Sequence, residues 1–221
     1  MRFILLVIIC LLAQLALPGP SFAEESSKIE LSDPQTQGGM PLMQALKERQ
    51  STREFSSRPL SQEVLSDLLW AAFGINRPDS GKRTAPSARN WQEMDIYVVM
   101  EDRSYIYYPQ EHSLEVAAEG DLRAYTGRQD FAAKAPLNLV LVADTTRMTG
   151  VSEEDTGFYK GADAGFISQN IYLFCASQGL ATVVRANIDR DLLGKALNLE
   201  EHQRIVLAQS VGYPAGYVQE F

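Results

Sequence analysis

The chain is poor in the residues that most catalytic and metal sites need. Its 221 residues include two Cys and two His, and His112 and His202 stand apart from each other and from any Cys pair. No closely spaced set of His, Cys, Asp and Glu has zinc-ligand spacing, so no metal ion is expected. Gly-x-Ser-x-Gly, P-loop and Gly-x-Gly-x-x-Gly motifs are also lacking. Hydrolase, nucleoside triphosphatase and Rossmann functions therefore have no local signature, and both histidines are predicted to be solvated.

Positive charge is scarce as well. Lys and Arg number 20 against 28 Asp and Glu, which gives a net charge of −8. Nucleic acid is not expected as a partner, because neutralising phosphates requires clustered Lys and Arg. The composition is 45% hydrophobic and 22% charged, which is typical of a globular protein and excludes disorder and a disulfide-dense miniprotein.

Residues 1–23 have the order of a secretory signal peptide. Arg2 precedes a mostly apolar run, residues 3–17, and small residues at Ser21 and Ala23 fit the cleavage site. The run is shorter than the roughly 18 to 20 residues of a membrane span. Cleavage is therefore favoured over an uncleaved anchor, and no stable membrane insertion is expected after it. The predicted location is periplasmic or secreted.

Removal of 23 of the 221 residues leaves 198, the length of one domain. Residues 24–40 are polar and are predicted to form an N-terminal tether, with a short extended piece at 28–31, before a domain over 41–221. The mature chain keeps one cysteine, Cys175, which lies among apolar residues. It is predicted to be a buried, inert thiol.

Hydrophobic periodicity predicts an α+β domain with four or five strands and about as many helices. Residues 73–90 are predicted to form a loop. The expected strands cover 94–100, 104–108, 137–143, 182–184 and 204–211, and the expected helices begin at Pro41 or cover 61–72, 122–133, 154–178 and 189–197.

The longest predicted helix is apolar almost all round between residues 162 and 176. Such a helix is buried on every side. In a domain of this size, that pattern suggests packing against a second subunit as well as against the chain's own sheet.

Two polar segments are candidates for binding. In Arg49-Gln50-Ser51-Thr52-Arg53, an extended backbone would project positions 49, 51 and 53 from one side. Two guanidiniums and a hydroxyl suit a phosphate, although the pentapeptide alone favours a solvated basic turn. In the second segment, residues 86–92, Asn90 offers both a donor and an acceptor. Its amide would suit the donor and acceptor edge of a flavin; the alternative is an ordinary loop with a capping Asn.

Together with residues 161–187, these segments resemble the nitroreductase family of FMN oxidoreductases. The matching motifs are Arg-x-Ser-x-Arg at 49–53, Pro-Ser-Ala-x-Asn-x-Gln at 86–92 and a long helix that ends in Gly179-Leu180. Residues 68–75 and 83–87 are similar to the branch that contains SagB-type dehydrogenases. The resemblance covers about residues 42–214.

The resemblance implies an intertwined α+β homodimer, with a central mixed or antiparallel sheet flanked by helices and FMN at the subunit interface. Matched by position, Arg49, Ser51 and Arg53 would hold the phosphate, Ser87 and Asn90 would face the ribityl chain or ring, and backbone amides at Arg185 and Ala186 would approach flavin N5. Gln50 and Thr52, which lie between the phosphate ligands, are counted with the cofactor-binding residues.

The resemblance also implies two-electron transfer through flavin N5 to or from a small organic molecule of nitroaromatic, quinone-like or dehydrogenase type. Such chemistry needs few acidic or basic side chains. Because secreted chains are separated from cytoplasmic NAD(P)H, the prediction is either a periplasmic or membrane-linked electron donor or a dehydrogenase that passes electrons outward. The alternative is a flavin-binding or degenerate protein without turnover, since no basic residue follows Pro214 where the family often has one. Arg185 and Arg204 are the candidate replacements.

Overall fold

A computed structural model of the chain describes residues 28–216. The predicted signal segment, residues 1–23, lies outside the described residues. Between Lys28 and Gly216, none of the helices combines the length and the apolar character needed to cross a membrane.

The described residues form an α+β domain with one large sheet. The helices are α1 (Leu42–Glu48), α2 (Gln62–Phe73), α3 (Asp130–Lys134), α4 (Glu153–Gln178) and α5 (Arg190–Ala196). The strands are β1 (Lys28–Glu30), β2 (Ile75–Arg77), β3 (Lys82–Arg83), β4 (Met94–Val99), β5 (Arg103–Tyr108), β6 (Ser113–Glu119), β7 (Leu137–Asp144), β8 (Ala181–Arg185) and β9 (Gln203–Gly212).

Seven strands pair in the order β1-β6-β5-β4-β7-β9-β8, and every pair is antiparallel. The expected α+β class with a central sheet flanked by helices is confirmed. Strand β7 lies in the middle of the sheet, and its residues 137–143 are all buried, as the near-continuous apolar run predicts. Leu139 and Leu141 face the core beneath α2 and α4, whereas Val140 and Val142 face a second core that includes residues of α5.

The strand number is where the sequence prediction fails most. The expectation of four or five strands is wrong, because β6 and the hairpin β2–β3 add to the predicted ones and the short extended piece expected at 28–31 is a paired strand, β1. The 73–90 stretch contains that hairpin rather than loop alone. The helix expected over 122–133 is reduced to α3 and a short 3-10 turn. These segments lack a clear hydrophobic periodicity, so backbone pairing, both local and with the distant β1, defines the added strands.

Helix α4 begins at an N-cap, Ser152, whose side chain accepts the Asp155 amide, and ends at Gly179 in a left-handed conformation. The bounds of α4 agree with the predicted helix over 154–178. Within one chain, however, α4 is not buried on every side. Phe158 is 73% exposed and Phe166 is 47% exposed. One apolar face of α4 is therefore open.

The segment predicted as a tether is packed against the domain over its described part. Strand β1 pairs with β6. The Gln35 amide donates to Asp67 Oδ1 over 2.7 Å, and the Met40 amide donates to Ser177 Oγ over 2.7 Å. These contacts bring the chain to the start of α1.

The two histidines differ. His202 is exposed, as predicted. For His112 the prediction is wrong: its ring nitrogens lie 2.7 Å from Ser66 Oγ and 2.9 Å from Tyr107 Oη, and burial lowers the pKa of the ring. His112 therefore joins β5 to α2 as a structural residue.

Candidate functional site

The Arg49–Arg53 segment leaves α1 as extended chain and is anchored to the edge strand β8. The Thr52 amide donates to the Thr182 carbonyl over 2.9 Å. Ser51 Oγ lies 2.7 Å from Tyr172 Oη, and the Arg49 guanidinium carbon lies 5.0 Å from the centre of the Tyr172 ring. Arg49 and Ser51 thus lie on the same side, against one aromatic side chain.

Tyr172 is a site residue that the sequence analysis missed. It is 7% exposed, on the buried side of α4, and its hydroxyl accepts the Val184 amide over 3.1 Å. The hydroxyl therefore joins Ser51 to the backbone of β8. Its only sequence signal is a single phenol within an otherwise apolar stretch of the helix.

Two arginines of the segment carry positive charge that no acidic side chain pairs with among residues 28–216. Among the described residues, neither Arg49 nor Arg53 forms an ion pair, and the Arg53 side chain is exposed. A guanidinium without a carboxylate partner is available to an incoming anion, for which its planar donors are suited. The two guanidiniums and the nearby hydroxyl therefore form a small positively charged region in a chain whose net charge is negative.

Gln50 and Thr52 do not share this surface. They line a separate cavity of about 360 Å³ together with Cys175, Pro214 and the start of β8. Alternate residues of this segment therefore face different surroundings: Arg49 and Ser51 lie at Tyr172, whereas Gln50 and Thr52 line the cavity. Cys175 itself is fully buried, and burial raises the pKa of its thiol to about 12. The structure therefore agrees with the prediction of a buried, inert thiol.

The second candidate segment, residues 86–92, is a tight loop closed by its own side chains. Ser87 Oγ accepts the Gln92 amide over 2.9 Å, and Asn90 Oδ1 accepts from Gln92 Nε2 over 3.3 Å. Asn90 is exposed. The Ala88 amide donates to Asp163 Oδ2 of α4 over 2.9 Å, which fixes the loop to the long helix.

One chain does not bring the two candidate segments together around a single ligand. Asp163 supports the 86–92 loop and Tyr172 supports Ser51. Nine residues separate them on α4, which places them about 13 to 14 Å apart along the axis and on opposite sides of the helix. The two segments therefore lie on different sides of α4.

Arg185 and Ala186 are at the end of β8, where Ala186 is exposed. The Arg185 side chain points into the domain and donates to Ser210, Thr126 and Asn138. Its guanidinium is consequently unable to replace the missing C-terminal cation.

Arg204 does not replace that cation either. Its guanidinium donates to the carbonyls of Glu201 and Gln203, near the start of β9. Gly212 ends the strand eight residues further along, about 26 Å away. Arg58 does lie beside the C-terminal motif, with its guanidinium carbon 4.7 Å from the Tyr213 ring centre.

Comparison with known proteins identifies the family. The sequence model of the nitroreductase family matches residues 46–213, most of the described domain. The chain belongs to the nitroreductase family. A Methanocaldococcus jannaschii protein provisionally named a nitroreductase is 35% identical over 180 residues, in an alignment that covers 75% of this chain and 88% of that protein. Membership makes the chain an oxidoreductase enzyme.

Solved structures agree with the assignment to the nitroreductase family. A protein of Ralstonia eutropha JMP134, provisionally named a nitroreductase, is 42% identical, with a TM-score of 0.84 over 91% of this chain and 96% of that one. A protein of Anabaena variabilis ATCC 29413 with a similar provisional name is 18% identical, with a TM-score of 0.72 over 85% of this chain and 41% of that one. The second likeness shows the fold alone.

This nitroreductase-family chain also exposes an apolar surface along two helices. On α1, Leu42 is 63% exposed and Met43 is 76% exposed. On α4, Phe158 and Phe166 are exposed. Both helices therefore present large apolar side chains outside the core.

Proposed function

We propose that the chain is an FMN-dependent oxidoreductase whose cofactor phosphate is bound by Arg49, Ser51 and Arg53. The observation that carries the proposal is the pair of arginines without acidic partners among residues 28–216, set beside a hydroxyl that Tyr172 orients. When bound, FMN supplies two-electron hydride chemistry at N5. The donors present fit a phosphate group.

Tyr172 sets the direction of the Ser51 hydroxyl. The phenol oxygen accepts the Val184 amide, so its own proton is free to be donated to Ser51 Oγ. Ser51 then keeps its proton for an outside acceptor. This chain of hydrogen bonds turns a serine hydroxyl into a donor for phosphate before any ligand arrives.

A second copy of the chain completes the proposed site. The Ser87 and Asn90 loop lies on the other side of α4 from the phosphate residues, so a loop from the partner subunit would face the flavin that this chain binds. The exposed apolar faces of α1 and α4 support a homodimer, since a second copy would cover them. Residues 41–216 would then act as one functional domain in each subunit, with 217–221 continuing it.

For the substrate we propose a small organic molecule of nitroaromatic, quinone-like or dehydrogenase type, with the SagB-type branch as the relevant one. Residues 68–75 and 83–87 support that branch. We also propose cleavage after Ala23 and a periplasmic or secreted location, with a donor other than NAD(P)H.

The second candidate function is flavin binding without turnover. It is favoured by the lack of a basic residue after Pro214 and by the engagement of Arg185 and Arg204 elsewhere. A yellow protein that dithionite bleaches and an organic acceptor reoxidises supports the enzyme. A protein that binds FMN but passes no electrons to an acceptor supports the second candidate.

Arg49→Ala is expected to weaken FMN binding about 30- to 150-fold, because a charge-assisted hydrogen bond to phosphate contributes about 2 to 3 kcal/mol. Titration of flavin fluorescence with the protein measures the dissociation constant. Arg204→Ala removes an exposed arginine far from the site and should leave the constant unchanged. Equal affinity in Arg49→Ala and the parent would remove the phosphate assignment.

The electron donor is tested by anaerobic stopped-flow mixing of FMN-loaded protein with NADPH. A protein outside the cytoplasm does not meet NADPH and is not selected to use it. We therefore expect NADPH to reduce the bound flavin far more slowly than typical enzyme turnover rates of about 1 to 1000 per second. Dithionite serves as the positive control for a reducible flavin. Reduction by NADPH at enzyme-like rates contradicts the proposed donor.

A further inference from the structure

Glu93 is a buried acid with no donor to satisfy it. It begins the approach to β4 and its side chain is 0% exposed. Neither carboxyl oxygen has a hydrogen-bond partner among the described residues. An ionised carboxylate in such a place would be strongly destabilised.

The polar group that faces Glu93 is another acid, Asp163 of α4. Asp163 is 2% exposed, and its carboxyl group lies within hydrogen-bonding reach of Glu93. Asp163 Oδ2 also accepts the Ala88 amide. Because ionised carboxylates only accept, two carboxyl groups bond to each other only when one of them carries a proton.

We propose that Glu93 and Asp163 share one proton and that this acid pair positions the 86–92 loop. The loop needs a stabilising contact of this kind because its backbone is unfavourable. Arg89, Asn90 and Gln92 adopt positive φ angles of 50°, 58° and 48°, which residues with a Cβ rarely adopt. Asp163 holds the loop at Ala88, and Glu93 holds Asp163. Both acids are positioning residues.

The other charged groups around Glu93 are already paired. Arg147 donates to the Gln92 carbonyl and forms ion pairs with Asp95 at 2.8 Å and Asp144 at 3.1 Å. His202 lies 3.8 Å from Asp144 on the far side of that group. Arg147 therefore offers Glu93 attraction at a distance but no hydrogen bond.

Burial, and after it the neighbouring Asp163 charge, raises the pKa of Glu93 from 4.5 to about 7. The folded chain thus holds a proton that the unfolded chain releases. The stability that the pair contributes is complete below about pH 4.5 and is lost as the pH rises through 7. Above that pH two adjacent carboxylates repel each other and the tie to Ala88 weakens.

Trp91 allows the loop to be observed directly. Its ring packs edge-on against Tyr159, with 5.5 Å between ring centres, and the Arg89 guanidinium carbon lies 5.4 Å from its centre. The chain has two tryptophans, so Trp70→Phe in the full chain leaves Trp91 as the reporter. We expect its fluorescence to show one transition near neutral pH, without added flavin.

Glu93→Gln is expected to abolish that transition while keeping the low-pH signal, because the amide donates to Asp163 without a titrating proton. His202→Gln is the matched control for the nearby imidazole and should retain the transition. An unchanged transition in Glu93→Gln, or none in the Trp70→Phe parent, would overturn the proposal.

Infrared spectroscopy of the unsubstituted protein keeps the proposal testable if Glu93→Gln fails to fold. A protonated carboxyl band should be present below neutral pH and disappear above it. A spectrum without that band at any pH above about 5.5 contradicts the shared proton. Any accompanying pH dependence of FMN affinity rests on the proposed function. The tryptophan and infrared signals do not, so the acid pair and the proposed function can fail separately.

Discussion

Arg185→Ala is expected to lower the free energy of unfolding by about 3 to 4 kcal/mol, one of the largest effects of any single substitution in this chain. The guanidinium is 6% exposed. It donates to Ser210 Oγ over 2.7 Å and to Asn138 Oδ1 over 2.7 Å, and Thr126 Oγ1 also accepts from it. Removing it leaves a cavity and takes one donor from each of these oxygens, so that Asn138 Oδ1 keeps only the Ser210 hydroxyl.

The size of that effect follows from the neutral surroundings of the charge. No carboxylate contacts Arg185 in the part of the chain that the structure describes, and burial lowers the pKa of the guanidinium to about 10. The group remains charged at neutral pH and depends on neutral oxygens from β7, β9 and the turn before α3. It therefore joins three elements that the chain brings together only on folding.

Urea unfolding measures the change. Arg128→Ala is the matched control, since Arg128 is exposed and forms an ion pair with Asp189 at 3.0 Å. An exposed pair of this kind contributes at most about 1 kcal/mol. A loss below about 1 kcal/mol in Arg185→Ala would show that the buried network contributes little to stability.

Phe166→Glu is expected to convert the proposed dimer to monomers, with a rise in the dimer dissociation constant of at least 100-fold. Phe166 is 47% exposed on the open apolar face of α4. A carboxylate covered by a second copy would lose its hydration without gaining a partner, a penalty of several kcal/mol. FMN affinity should fall with it, because the 86–92 loop of the partner would be absent from the site.

Sedimentation velocity over a range of protein concentrations measures the association. Leu192→Glu is the control, because Leu192 is 48% exposed but lies on α5, away from the α1 and α4 surface. That variant should remain dimeric. A Phe166→Glu protein that still sediments as a dimer places the interface elsewhere, and a monomeric parent refutes the homodimer.

Elements with strong local signals were predicted well. Ser61 caps α2, Gly179 ends α4, and β7 is a continuous apolar strand, each from residues that lie side by side in sequence. The sequence did not predict β6, and the prediction for His112 failed, because each depends in part on a partner distant in sequence. Strand β6 pairs with the neighbouring β5 and also with β1, more than 80 residues earlier, and His112 contacts Ser66 of α2.

The candidate site shows the same division. Arg49 and Ser51 were recognised from their spacing, and the structure places them on one side. Tyr172, which orients Ser51, lies 121 residues further along the chain and was missed. Its role depends on the packing of α4 against β8, which no local pattern reports.

By itself, the sequence determined the α+β class, the main helices and strands, the family motifs and the pair of arginines in an acidic chain. These depend on short-range periodicity, caps and spacing. Only the tertiary structure decided that Arg185 points inward, that the loop and the arginines lie on different sides of α4, and that Glu93 faces Asp163. Side-chain direction and burial arise from contacts between distant segments, and a buried charge changes its chemistry only once those contacts form.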